Sequence, residues 1–125
     1  SQVSLSIVKE DDAGERIPLT ICDYDREAGT VTNCIPANRS IYENLKTPGR
    51  RFIEDFVGPL GCPSEFVNED PEELKKEKIL FVAGGVGTAP VYPQVKWLHE
   101  HGIDADVIVG AKTKDLIILE KRWKL

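Results

Sequence analysis

Polar and apolar residues alternate at the start of the chain through Val3, Leu5 and Ile7, and the alternation returns in three later segments. A period of two marks a half-buried β-strand, so strands are predicted over residues 3 to 9, 17 to 22, 30 to 35 and 52 to 57. Turn-forming residues divide them at Ala13-Gly14, Asp25 to Gly29 and Thr47-Pro48-Gly49. Four short strands with polar turns predict part of a β barrel. Between the third and fourth, residues 38 to 45 read as a short helix with Asn38 or Ser40 as its cap.

The pattern changes after residue 78. Ile79 to Val82 form an unbroken apolar run, as expected of a parallel strand buried on both faces. Val91, Val95 and Leu98 then follow helical spacing and are expected to pack on the sheet, with Gln94, Lys96 and Glu100 facing water. Gly102 ends that helix, and Val107-Ile108-Val109 is the centre of a second strand over residues 105 to 111. The predicted fold is therefore a β-barrel portion followed by a partial α/β parallel-sheet domain, which the loop described next marks as nucleotide-binding. Its divisions fall at residues 1 to 66, a connector at 67 to 77, and 78 to 125. Within the joint, Gly61-Cys62-Pro63-Ser64 is a turn. Asp70 to Lys78 mixes both charge signs around one apolar residue, which reads as a solvated connector or short surface helix.

The chemistry concentrates where the apolar run meets Gly84-Gly85-Val86-Gly87-Thr88-Ala89-Pro90. Glycines between a strand and a helix let backbone N–H groups approach a phosphate, and the helix N-terminus directs its positive dipole end at the anion. Thr88 is the expected N-cap, and Pro90 is tolerated in the first turn. A Walker A loop needs Lys-Ser or Lys-Thr after its last glycine. Thr88-Ala89-Pro90 stand there instead, which excludes nucleoside triphosphate hydrolysis of that kind. The second strand ends at Gly110 to Asp115, the edge at which an open parallel sheet binds its ligand, so Lys112 or Lys114 is a candidate for the adenosine phosphate or ribose.

Composition narrows the alternatives. A net charge of −5 without a lysine-rich run argues against a nucleic-acid surface, and no apolar stretch reaches 18 residues, so no membrane partner is expected. A cytoplasmic protein is the expectation. Cys22, Cys34 and Cys62 are too widely spaced to form a metal or cluster motif and are expected to be buried free thiols. His99 and His101, in the last helical turn, have no acidic or cysteine partner at metal-ligand spacing, and Tyr92 and Trp97 are expected to be packing residues. The chain contains no methionine, which suggests a fragment of a longer protein.

The string Gly85 to Pro90 looks like the nicotinamide-binding loop of the ferredoxin reductase superfamily, and Arg16-Ile17-Pro18-Leu19-Thr20-Ile21-Cys22-Asp23-Tyr24-Asp25 resembles the family's flavin-binding strand. With Asp55-Phe56-Val57-Gly58-Pro59-Leu60-Gly61 and the Gly110 to Asp115 segment, the match narrows. It resembles a group that includes sulfide dehydrogenase beta subunits, the alpha subunit of NADH-dependent reduced ferredoxin:NADP oxidoreductase and the dihydroorotate dehydrogenase electron-transfer subunit.

The resemblance implies FAD and NAD(P)H as cofactors. Arg16, Leu19 and Thr20 would lie on the flavin nucleotide, Arg39 and Ser40 would stand for a phosphate-gripping turn, and Gly84, Gly85, Val86, Gly87, Thr88, Ala89, Pro90 and Lys112 would bind the nicotinamide dinucleotide. It further implies hydride transfer to the flavin and electrons passing to an iron–sulfur centre or a larger flavoprotein or iron–sulfur partner subunit, with ferredoxin as another partner. The family's [2Fe-2S] cysteines have no counterpart among the three present. The alternative is a non-catalytic nucleotide-binding or scaffold fragment of such a complex. NAD against NADP and the oligomeric state are left open.

Overall fold

The computed structural model describes residues 2 to 8, 15 to 37 and 52 to 124; the helix expected at 38 to 45, with Arg39 and Ser40, lies outside them. Four strands, β1 (Gln2–Val8), β2 (Glu15–Asp25), β3 (Thr30–Cys34) and β4 (Phe52–Leu60), form one antiparallel sheet in the order β3-β2-β1-β4. Leu5 on β1 stands between Ile17 on β2 and Phe56 on β4. All four predicted strands are present, β2 and β4 extending three residues past their expected C-terminal ends.

Among the described residues this sheet is open, since β3 and β4 occupy its two edges. Closing a barrel demands that strand number, tilt and stagger agree, and four strands enclose too little space for a side-chain core. Ile17 and Leu19 bury one face against Ile21 and Ile35, while Ile53, Phe56, Val57 and Leu60 of β4 are exposed.

A register shift between Ile21 and Asp23 bulges β2 against β3. An extra residue in one strand breaks strict alternation, and here consecutive Cys22 and Asp23 are both buried. That shift carries Asp23 and Tyr24 onto the second half of the molecule.

There, β5 (Leu80–Gly84) and β6 (Asp106–Gly110) pair in parallel, with the helix α2 (Thr88–Glu100) as their crossover. A four-residue helix α1 (Pro71–Leu74) precedes them. Asp70 caps α1 by accepting from the Glu72 amide at 3.0 Å, and Pro71 sits where a missing N–H costs nothing. The segment expected to be a solvated connector is thus amphipathic. Leu74 drives into a core with Leu98 and Ile103, and Lys75–Glu72 and Lys76–Glu73 pair on its outer side.

α2 ends as its sequence predicts. Gly102 adopts φ +75°, the Ile103 amide donates to Leu98 O at 2.9 Å, and the Gly102 amide donates to His99 O at 3.0 Å. These two bonds make a Schellman closure, which favours glycine at the left-handed position.

Two expectations are corrected here. β5 is not buried on both faces: Ala83 is buried and Phe81 half-buried under α2, but Val82 is 70% and Leu80 57% exposed, because one face of this two-stranded sheet carries no covering layer among the described residues. Nor does Lys96 face water. It is half-buried and turned onto β2.

Candidate functional site

The glycine loop leaves the C-terminal end of β5 as a single tight turn, Gly85–Gly87, and α2 begins at Thr88. Gly85 has φ +55°, a conformation that an L side chain adopts only under strain. A Cβ at Gly84, Gly85 or Gly87 would meet nothing within 4 Å, so the surface over the turn is open to a ligand approaching the backbone.

Gly87, not Thr88, occupies the N-cap, and no side chain caps the helix. The expected Thr88 cap fails because the preceding turn has already set the helical direction, leaving Thr88 as the first helical residue with its own amide bonded to Gly85 O and Val86 O. Thr88 is 1% exposed, yet its hydroxyl oxygen has no hydrogen-bond partner. A buried hydroxyl without a partner costs free energy, so its location beside an uncapped helix start is informative. Ala89 is buried beneath the turn, and Val86 and Pro90 are exposed.

Gly84 pairs with Gly110, so β5 and β6 end side by side. Lys112 and Lys114 follow on that edge and are both exposed.

On β2, Ile17 and Leu19 face the core while Arg16 and Thr20 belong to the opposite face. Leu19 is therefore apart from the two polar residues it was grouped with. Ser6 stands opposite both Arg16 and Asp55, placing those two in one row across the sheet. The Arg16 guanidinium donates to Asp55 Oδ2 at 2.5 Å and holds the Asp55 carboxyl below its ordinary value. The cation expected to meet a pyrophosphate is thus already paired, at the surface, with a carboxylate that a phosphate could displace.

The seam between β2 and α2 holds a polar cluster that sequence reasoning missed. Lys96 Nζ donates to Asp23 Oδ1 at 2.8 Å and to the Tyr24 carbonyl, and lies 4.4 Å from the Tyr24 ring centre. Arg122 donates to Asp23 Oδ2, and the Tyr24 hydroxyl donates to Glu100 Oε2 at 3.0 Å. Burial and the adjacent Glu100 push the Tyr24 hydroxyl up to about 12. Beside this cluster lies a cavity of about 250 Å³ whose lining includes Tyr24, Pro59, Phe66, Pro90, Pro93 and Trp97.

The histidines have structural partners. His99 Nδ1 lies 2.8 Å from Asp104 Oδ1, an acidic partner that the spacing did not reveal, and the His101 ring stacks on Trp97 with centroids 3.9 Å apart. Among the described residues no group of three or more His, Cys, Asp or Glu side chains could hold a metal ion, and no helix is long and apolar enough to cross a membrane. Tyr92 is buried with its ring edge-on to Trp123, and Trp97 packs on Phe66, so both serve packing as expected.

Only Cys22 of the three free thiols is buried; Cys34 is half-buried and Cys62 exposed, in contrast to the expectation for all three. Cys22 Sγ donates to Thr32 O at 3.4 Å, and burial together with neighbouring Cys34 pushes its thiol up to about 12. The thiolate is the reactive species. In the native protein at pH 8 a disulfide reagent is therefore expected to modify Cys62 first and to leave Cys22 unreacted until denaturant is added; prompt labelling of Cys22, read by peptide mass, would contradict that burial.

An antiparallel sheet is thus joined to a parallel βαβ unit whose glycine turn is open at the surface. No family model matches the chain. It is 58% identical over 117 residues to a Clostridium beijerinckii protein described as an uncharacterized protein in the adh 3' region, covering 93% of this chain and 40% of that one. It is 37% identical over 120 residues to a dihydroorotate dehydrogenase B (NAD(+)) electron transfer subunit homolog of Thermotoga maritima, covering 94% and 40%. Among solved structures, that of an NADH-dependent reduced ferredoxin-NADP oxidoreductase aligns with a TM-score of 0.68 and 37% identity, over 96% of this chain and 41% of the other. These similarities support the ferredoxin-NADP reductase-like family as the group this chain resembles. It spans 40% of the length of the curated relatives it matches.

Proposed function

We propose that this chain carries the FAD-binding and nicotinamide-dinucleotide-binding elements of a cytoplasmic, flavin-dependent electron-transfer oxidoreductase subunit. Residues 1 to 66 form the flavin side, part of a barrel in the longer fold. Residues 67 to 77 connect it to the nicotinamide side at 78 to 125. Electrons then pass to an iron–sulfur centre or to a larger partner subunit, with ferredoxin as a further candidate. The observation that carries the reading is the glycine turn, where an uncapped helix start, an open backbone surface and the unpartnered Thr88 hydroxyl coincide.

The residues fit a dinucleotide pyrophosphate at that turn. The first amides of α2 carry N–H groups with no side-chain acceptor, and the helix dipole favours an anion there. Lys112 supplies a cation on the same sheet edge. On β2, Arg16 supplies the charge for the FAD pyrophosphate by exchanging Asp55 for phosphate, and Thr20 offers a hydroxyl on the same face. When bound, the nicotinamide supplies a hydride and the flavin accepts the electron pair and releases it singly, so the protein has to bind and orient rather than move a proton.

Calorimetric titration of the protein with FAD, NADH and NADPH tests the reading. FAD and one of the two reduced nicotinamide nucleotides are expected to bind at separate sites. Binding of neither would leave a scaffold role as the better account.

A further inference from the structure

Asp23 is 9% exposed, and both of its carboxylate oxygens are occupied by groups from distant segments. Oδ1 accepts from Lys96 Nζ and from the Tyr24 amide, each at 2.8 Å, and Oδ2 accepts from Arg122. Lys96 comes from the middle of α2, and Arg122 from the short turn Glu120–Trp123 beyond β6. One carboxylate on the antiparallel sheet therefore holds two cations from the parallel half.

We propose that Asp23, Lys96 and Arg122 are positioning residues that latch the flavin strand to the dinucleotide helix and thereby set the distance and angle between the two cofactor sites. The inference rests on the FAD and nicotinamide reading given above.

Geometry supports it. Thr20 lies three residues from Asp23 on a strand, about 10 Å along its axis. Thr88 lies eight residues from Lys96 on a helix, about 12 Å. The first path crosses the β2 bulge and the second passes Pro93, yet each stays within one strand or one helix, so the latch's position is carried to both sites. Apolar packing is incomplete beside this joint, where the seam contains the cavity between Tyr24, Pro59, Pro90 and Trp97.

The half-buried pair is also screened less by salt than a surface pair. Lys96 is held a third way, over the Tyr24 ring, and Tyr24 is itself tied to Glu100 one helical turn on.

The test uses Asp23→Asn, Lys96→Gln and Lys96→Arg. Arg122 still faces Asp23 when Lys96 is replaced, which keeps the Lys96 variants folded. Two readouts are needed: amide hydrogen exchange across β2 and α2, and the long-wavelength absorbance that arises when a nicotinamide stacks on a flavin.

In Lys96→Gln and Asp23→Asn, exchange in residues 20 to 25 and 88 to 100 is expected to rise at least tenfold while β5 and β6 stay protected. FAD and the nicotinamide nucleotide should each bind within about threefold of wild type, and the stacking absorbance should fall at least fivefold. Lys96→Arg should restore both. Unchanged exchange and absorbance in Lys96→Gln and Asp23→Asn would overturn the latch. So would an equal loss of binding for both cofactors that Lys96→Arg does not rescue, since that is ordinary loss of fold. If the wild type binds no FAD, the functional reading fails. The exchange arm then decides the latch alone: a rise in Lys96→Gln that Lys96→Arg reverses supports it, and no rise refutes it.

Discussion

Gly87→Asp is expected to abolish nicotinamide dinucleotide binding while leaving the fold intact. Gly87 has φ −65° and ψ −12°, a conformation open to any L residue, and a Cβ there meets nothing within 4 Å. A carboxylate at a helix N-terminus is also favoured by the dipole, which offsets any small cost of the substitution. That same carboxylate would stand where the pyrophosphate has to sit. Two like charges about 4 Å apart repel by about 4 kcal/mol near a protein surface. Each 1.4 kcal/mol is tenfold in affinity, so a loss of about 100-fold or more is expected. Calorimetry with NADH and NADPH reads the loss, and a thermal melt within about 3 °C of wild type shows that it is not unfolding. Gly87→Ala separates charge from bulk, because it adds only a methyl group at the same position. Retention of full affinity in Gly87→Asp would place the dinucleotide elsewhere.

Arg16→Ala is expected to weaken FAD binding by about 10- to 100-fold, in keeping with the loss of a charge-assisted hydrogen bond to phosphate. Asp55→Asn should act in the opposite direction. It frees the guanidinium from the surface ion pair that phosphate would otherwise have to displace, and FAD should bind a few-fold more tightly. The sign with pH follows from the lowered Asp55 value. The pair is present above the ordinary carboxylate range and is lost only as the pH falls through the lowered value, so competition with FAD persists at neutral pH. Fluorescence titration of FAD against both variants checks the pair of effects. Equal affinities in wild type, Arg16→Ala and Asp55→Asn would remove Arg16 from the site.

The strands and the glycine turn were legible because their signals are local. Alternation placed β1 to β4, the apolar run before Gly84 placed β5, and Gly102 marked the end of α2. What the sequence hid depends on tertiary neighbours. Lys96 occupies an outward helical position by periodicity, and only its juxtaposition with Asp23, 73 residues earlier, turns it inward. Arg122 meets the same carboxylate from 99 residues away, which no window of local pattern can register.

The Thr88 cap was misplaced for a subtler reason. A threonine before an apolar helical run is a sound cap signal, but the glycine turn started the helix one residue early and enclosed the hydroxyl instead. Exposure of Leu80 and Val82 likewise reflects what covers a sheet face, which the residues of that strand do not encode.

The central claim is that one chain holds a flavin and a nicotinamide dinucleotide together. Its most direct test is the absorbance spectrum of the protein after incubation with FAD and desalting, followed by anaerobic addition of NADH and NADPH in turn. The expected result is a retained flavin spectrum bleached by one of the two nucleotides. Absence of retained flavin together with no binding of either nucleotide would contradict the account.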